Sequence, residues 1–256
     1  VLRIRQVEHA FFHWLDMGTL LIGVNDLDAE DAEGPLLGEW KSAKEPQKNK
    51  DGSDSAYWNE DVWLTALKEG SQLAFYALVR YLNGIEKPRV LVRAAVKSNP
   101  VKFWGDQVFT FKPQQLQSVK NSLLVRSIAI RAMQKAKLVP WAIIGNHCTN
   151  RFRRQCARFK DCSTQTHAPV EPKTMFSMDD PGSKALVAAG VTEYNPEVVI
   201  FSASSLDASQ QCLELYRTNM GGHYNDDAAY ELQVGTIMHA GLASVYRQIK
   251  EHQNAG

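Results

Sequence analysis

Residues 18–42 read GTLLIGVNDLDAEDAEGPLLGEWKS. Two apolar runs, 18–27 (GTLLIGVNDL) and 35–42 (PLLGEWKS), flank an acidic segment, DAEDAEG. Short apolar runs separated by turn residues predict two neighbouring strands and a turn. Asp26 ends the first strand, and Glu39 and Lys41 lie within the second. Strand side chains alternate, so Glu39 and Lys41 leave one face and Trp40 the other, where it reads as core. Carboxylates on adjacent strands suit a hard divalent cation, Mg²⁺ or Mn²⁺. A neighbouring lysine would orient the attacking water or stabilise charge developing on a phosphate. The same residues also suit a solvated surface, although a charged pair inside an apolar strand needs a partner.

Working outward, residues 43–55 form a polar, lysine- and serine-rich loop. Residues 57–83 have helical apolar spacing, with Trp63, Leu64, Leu67, Leu73, Ala74 and Ala77 on related faces. Strands are predicted at 89–97 and 102–111, a helix at 113–137, a cysteine-rich segment at 147–162, and helices at 204–219 and 226–252. This order predicts an α/β sandwich around a small mixed sheet, with no internal repeat.

A chain of 256 residues holds one large domain or two small ones. Hydrophobic residues at 44% and charged residues at 22% are ordinary for a folded protein. A net charge of +1 gives no global attraction to a polyanion, so nucleic-acid binding must come from local patches. One such patch holds Arg151, Arg153, Arg154, Arg158 and Lys160, suited to DNA phosphates or to a solvated loop. No apolar run approaches the roughly 18–20 residues that cross a bilayer, and no signal-peptide pattern opens the chain. A cytoplasmic protein without a membrane partner is the expectation. Four cysteines there read as metal ligands or free thiols rather than disulfides.

Three motifs in order, Gly23–Asp26 (GVND), Glu39–Lys41 (EWK) and Gln72–Tyr76 (QLAFY), resemble the GxxD, (D/E)xK and QxxxY series of RecB-like PD-(D/E)XK nucleases. Four-residue spacing places Gln72 and Tyr76 on one helical face. The resemblance implies that Asp26, Glu39 and the Trp40 backbone carbonyl hold metal. It also implies that Lys41 assists the attacking water and that Gln72 and Tyr76 help place substrate. Gly23 sets the register for Asp26 over Asp28. Glu8 lies where some relatives carry an accessory acid, and an exposed surface glutamate is its other reading.

The family's opening histidine helix is missing upstream of Asp26, where His9 and His13 lack its context. Phe201–Leu206 (FSASSL), then Cys212 and Tyr216, instead resemble its opening S-x-S-x-L…C-x-x-x-Y, and Gly235–His239 (GTIMH) its G-x-x-x-H helix. The resemblance thus makes His239 a metal ligand and the motif order circularly permuted. Residues 1–162 would form the nuclease core, 163–198 a linker joining the original termini, and 199–256 a helical segment completing the domain. Permutation requires the two ends of the chain to meet on one surface.

Cys148, Cys156 and Cys162 are separated by seven and five residues, with Cys212 remote. One early and three late cysteines in restored order resemble the [4Fe–4S] subset of these nucleases, the AddB-like group, although the first gap departs from the usual spacing. Zn²⁺ is the alternative for four thiolates. The resemblance implies a Mg²⁺- or Mn²⁺-dependent deoxyribonuclease, an exonuclease on single strands or duplex ends in recombination, repair or phage replication. Its rival is a catalytically inactive iron–sulfur DNA-binding module.

Overall fold

The computed structural model describes residues 2–45, 48–52, 59–98, 100, 102–136, 181–192, 195, 197–203, 205–206 and 230–255. Six strands are described, β1 (Arg3–Asp16), β2 (Thr19–Asp31), β3 (Gly34–Lys44), β4 (Arg89–Lys97), β5 (Lys102–Thr110) and β6 (Val199–Phe201). Five helices are described, α1 (Glu60–Glu69), α2 (Ser71–Leu82), α3 (Pro113–Lys135), α4 (Pro181–Ala188) and α5 (Tyr230–Ala255). The class is mixed α/β, as expected. The chain divides into two compact units, one of Val1–Phe11, Gly23–Lys120 and Ala229–Gly256, the other of Phe12–Ile22 and Asn121–Ala228.

In the first unit the strands lie in the order β1-β2-β3-β4-β5. β2 and β3 form an antiparallel hairpin, Leu27↔Gly38 to Asp31↔Gly34. The segment expected as an acidic turn is therefore mostly strand, and the turn shrinks to two residues. Gly34, at φ +113, takes the left-handed backbone where the chain leaves this turn, a conformation that glycine adopts without strain. β3 and β4 pair in parallel, and β4 and β5 antiparallel. The pair Leu27↔Gly38 is close because glycine permits it: a Cβ at Gly38 would lie 2.8 Å from the Leu27 Cβ.

The single helix expected over 57–83 is two helices. The Asn59 side chain caps α1, accepting from the Val62 N–H at 3.0 Å, and Glu60 and Asp61 favour its positive end. At Gly70 the backbone turns extended (φ −70, ψ 151), ending α1 and starting α2. α2 buries Leu73, Phe75, Tyr76, Ala77, Leu78 and Val79. On the other side of β3, Leu242 and Tyr246 of α5 pack against a cluster of Ile4, Leu27, Ala29 and Trp40. The sheet thus lies between α2 and α5.

The second unit pairs the start of β2 with β6 in parallel, Thr19↔Val199 to Leu21↔Phe201. Leu20, Leu186 and Val191 form its core with Phe12, Trp14 and Ile22. Residues 181–188, within the stretch read as linker, form α4. The buried hydroxyls of Thr19 and Ser127 bond at 2.6 Å. Among the described residues no helix is long and apolar enough to cross a membrane.

Candidate active site

Asp26 lies one residue before the last described pair of the β2–β3 ladder. Its Oδ2 accepts the Trp40 backbone N–H at 2.6 Å, so a side chain takes over where the ladder stops. In an extended strand a residue's N–H and C=O point to the same side, so the Trp40 carbonyl also faces β2. Glu39 is 4% exposed. Lys41 Nζ donates to Glu39 Oε1 at 2.5 Å and to Gln72 Oε1 at 2.9 Å. Gln72 Nε2 donates to the same Glu39 oxygen at 2.8 Å and to the Tyr76 hydroxyl at 3.1 Å. Tyr76 donates to the Val24 carbonyl at 3.4 Å. One connected network thus joins Glu39, Lys41, Gln72 and Tyr76, with Val24 two residues before Asp26.

The phenol of Tyr76 is pushed well above its ordinary value, first by burial and then by the Glu39 and Asp26 carboxylates, with the Gln72 bond acting the other way. It therefore stays a hydrogen-bond donor at any working pH. Burial dominates because α2 presses Tyr76 against Phe11, whose ring meets it edge-on at 5.7 Å. Gly23 leaves room for that ring, since a Cβ there would come within 2.4 Å of Phe11 Cζ.

Asp28 has a different partner. Arg80 holds it at 3.0 and 3.5 Å, and both side chains are largely buried. Gln72, Tyr76 and Arg80 recur every four residues along α2, so the stripe that the QxxxY spacing begins continues to Arg80. His9 lies beside this pair, and burial holds its imidazole below the ordinary value of 6.5; Asp28 acts to raise it and Arg80 to lower it. Glu8, at φ 52, forms an ion pair with Arg247 of α5. His13 lies on β1 in the second unit. Trp63 and Trp104 are buried against each other, ring centroids 5.5 Å apart, as core.

His239 lies on α5, one turn before Leu242, but its side chain is outside the described residues. Also outside them are Cys148, Cys156, Cys162, Cys212, Arg151, Arg153, Arg154 and Arg158. Among the described residues no cluster of three or more histidine, cysteine, aspartate and glutamate side chains forms a metal site. The described donors are the Asp26 and Glu39 carboxylates, and hard oxygens of this kind fit Mg²⁺ or Mn²⁺. A cation between carboxylates, with an ammonium and a carboxamide alongside, is equipped to hydrolyse a phosphodiester. No protein-family model, curated protein or solved structure matches this chain.

Proposed function

We propose that the chain is a PD-(D/E)XK-type nuclease that hydrolyses DNA phosphodiester bonds with Mg²⁺ or Mn²⁺. The observation that carries this reading is the convergence of Glu39, Lys41, Gln72 and Tyr76, drawn from a strand and a helix distant in sequence, on one network bordered by Asp26. A merely solvated charge pair would not need a buried glutamate anchored by a carboxamide from another element.

Asp26, Glu39, the Trp40 carbonyl and His239 would hold the metal, which when bound polarises the phosphate and acidifies a water. Lys41 directs its ammonium onto Glu39 Oε1 and is poised to hold the attacking water or the charge developing on phosphate. Gln72 orients both Glu39 and Lys41, and Tyr76 fixes Gln72 from behind. Such a network limits rotamer freedom, which keeps reacting groups in register.

The permuted order is part of the proposal. It is supported by α5 packing on β3 in the same unit as Asp26 and Glu39, with Tyr246 stacked on Trp40. The Gln253 amide also donates to the Leu2 carbonyl at 2.9 Å, which joins the two ends of the chain. The [4Fe–4S] assignment to Cys148, Cys156, Cys162 and Cys212 rests on the cysteine pattern. A cytoplasmic exonuclease acting on single strands or duplex ends completes the reading. The test is digestion of end-labelled linear and closed circular DNA by wild type, Asp26→Ala and Lys41→Ala. Mn²⁺-dependent loss of linear DNA in the wild type alone is expected. Absence of cleavage in the wild type favours the inactive DNA-binding module, and cleavage surviving in both variants removes the site.

A further inference from the structure

The face of β3 opposite Glu39 and Lys41 carries an arrangement that apolar packing alone does not require. Trp40, 4% exposed, stacks on Tyr246 of α5 with ring centroids 4.9 Å apart and planes at 19°. Arg93, its direct partner on parallel β4, places its guanidinium carbon 5.5 Å from the indole centroid. Arg93 is in turn gripped by Asp106, Nε to Oδ1 and Nη2 to Oδ2, each at 2.5 Å.

A bulge makes this possible. The β4–β5 register runs Val92↔Gln107 and then Ala94↔Trp104, so β5 sets two residues, Gly105 and Asp106, against Arg93 alone. Arg93 also lies close enough to Tyr246 for its charge to act on the phenol. Arg93 of β4 and Tyr246 of α5 therefore both meet the Trp40 indole, and Asp106 of β5 holds Arg93 in place. The Trp40 backbone N–H is held as well, by Asp26. The ring and the N–H together anchor the Trp40 Cα, and the pairing of β3 with β4 keeps the backbone extended, so the following peptide, which carries the Trp40 carbonyl, has little freedom to turn.

We propose that Tyr246, with Arg93 and Asp106, is a positioning residue for the divalent cation: it locks the Trp40 peptide, and so the carbonyl facing β2, and joins α5 to the catalytic strand. This rests on the nuclease reading of the same site. Tyr246→Leu keeps apolar bulk but removes the ring, and weakens cation binding by roughly 3- to 10-fold, the worth of one aromatic stack. Tyr246→Phe keeps the ring and binds within about twofold of wild type. Ile4→Val, which trims the same apolar cluster but leaves both rings of the stack in place, lowers the melting temperature but leaves binding within about twofold.

The experiment is titration of the full chain with Mn²⁺, free ion read by electron paramagnetic resonance, with circular dichroism confirming that each variant is folded. Asp26→Ala identifies the site. An Asp26-dependent Mn²⁺ that Tyr246→Leu weakens, and Ile4→Val does not, supports the proposal. Unchanged binding in Tyr246→Leu, or an equal loss in Ile4→Val, overturns it and leaves the nuclease reading standing. A wild type without Asp26-dependent binding takes down both.

Discussion

Replacing Lys41 by Met isolates the charge at the centre of the network. The Glu39 side chain is 5% exposed and that of Lys41 22%. Deleting the ammonium leaves the carboxylate in place with the Gln72 amide still donating to it at 2.8 Å. Breaking a buried pair from one side costs about 3–5 kcal/mol. The retained amide and the partial exposure of Lys41 set the expectation at the low end, about 3 kcal/mol. The double variant Lys41→Met, Glu39→Gln removes the buried charge as well and recovers most of that loss, to within about 1 kcal/mol of wild type. Urea unfolding in EDTA at neutral pH, followed by far-ultraviolet circular dichroism, reads this directly. With a slope of about 3 kcal/mol per molar, the single variant's midpoint falls by about 1 M. A Lys41→Met midpoint within about 0.2 M of wild type would mean that the ammonium does not offset the buried charge. So would a double variant as unstable as the single one.

Gly23→Ala drives a methyl into the Phe11 ring and costs about 1–3 kcal/mol; adding Phe11→Leu recovers part of this in the same assay, and additive losses would count against the contact. His9 is held below its ordinary 6.5, so the unfolded chain takes up the proton first. Stability is therefore full above pH 6.5 and declines as pH falls below it, with His9→Gln flattening the decline; an unchanged slope in that variant contradicts the assignment. Asp31, lowered to about 2 chiefly by its bonds to Arg89, stabilises the fold above its ordinary 3.8, and this is lost as pH falls from there towards 2. Asp31→Asn removes that part of the acid sensitivity, measured as the thermal midpoint against pH.

Much of the first unit was legible because its signals are local. β4 is an apolar run, β5 is rich in aromatic residues, and the hairpin at 18–42 is bounded by glycine and proline. β1 was not legible: RIRQVEHAFFHWLD buries only Ile4 and Phe11, so an edge strand rich in arginine and histidine shows little alternation. The split at Gly70 is not legible, because one apolar spacing runs through both helices. Glu39, Lys41, Gln72 and Tyr76 could be named in advance because each lies in a short motif. The pairing of Asp28 with Arg80 and the stack on Trp40 could not, since they depend on which elements meet. Arg93 reaches Trp40 through parallel pairing across some fifty residues, and Tyr246 through a helix at the far end of the chain.

On the proposed reading, Glu39 belongs to a metal-dependent hydrolytic site. The most direct test of this is the single-turnover rate of cleavage of labelled linear DNA in saturating Mn²⁺, wild type against folded Glu39→Gln. The substitution keeps the shape and removes the charge. Mn²⁺-dependent cleavage by wild type is expected, with a loss of about 100-fold or more in the variant. Equal rates in the two proteins, or no cleavage by either, would contradict it.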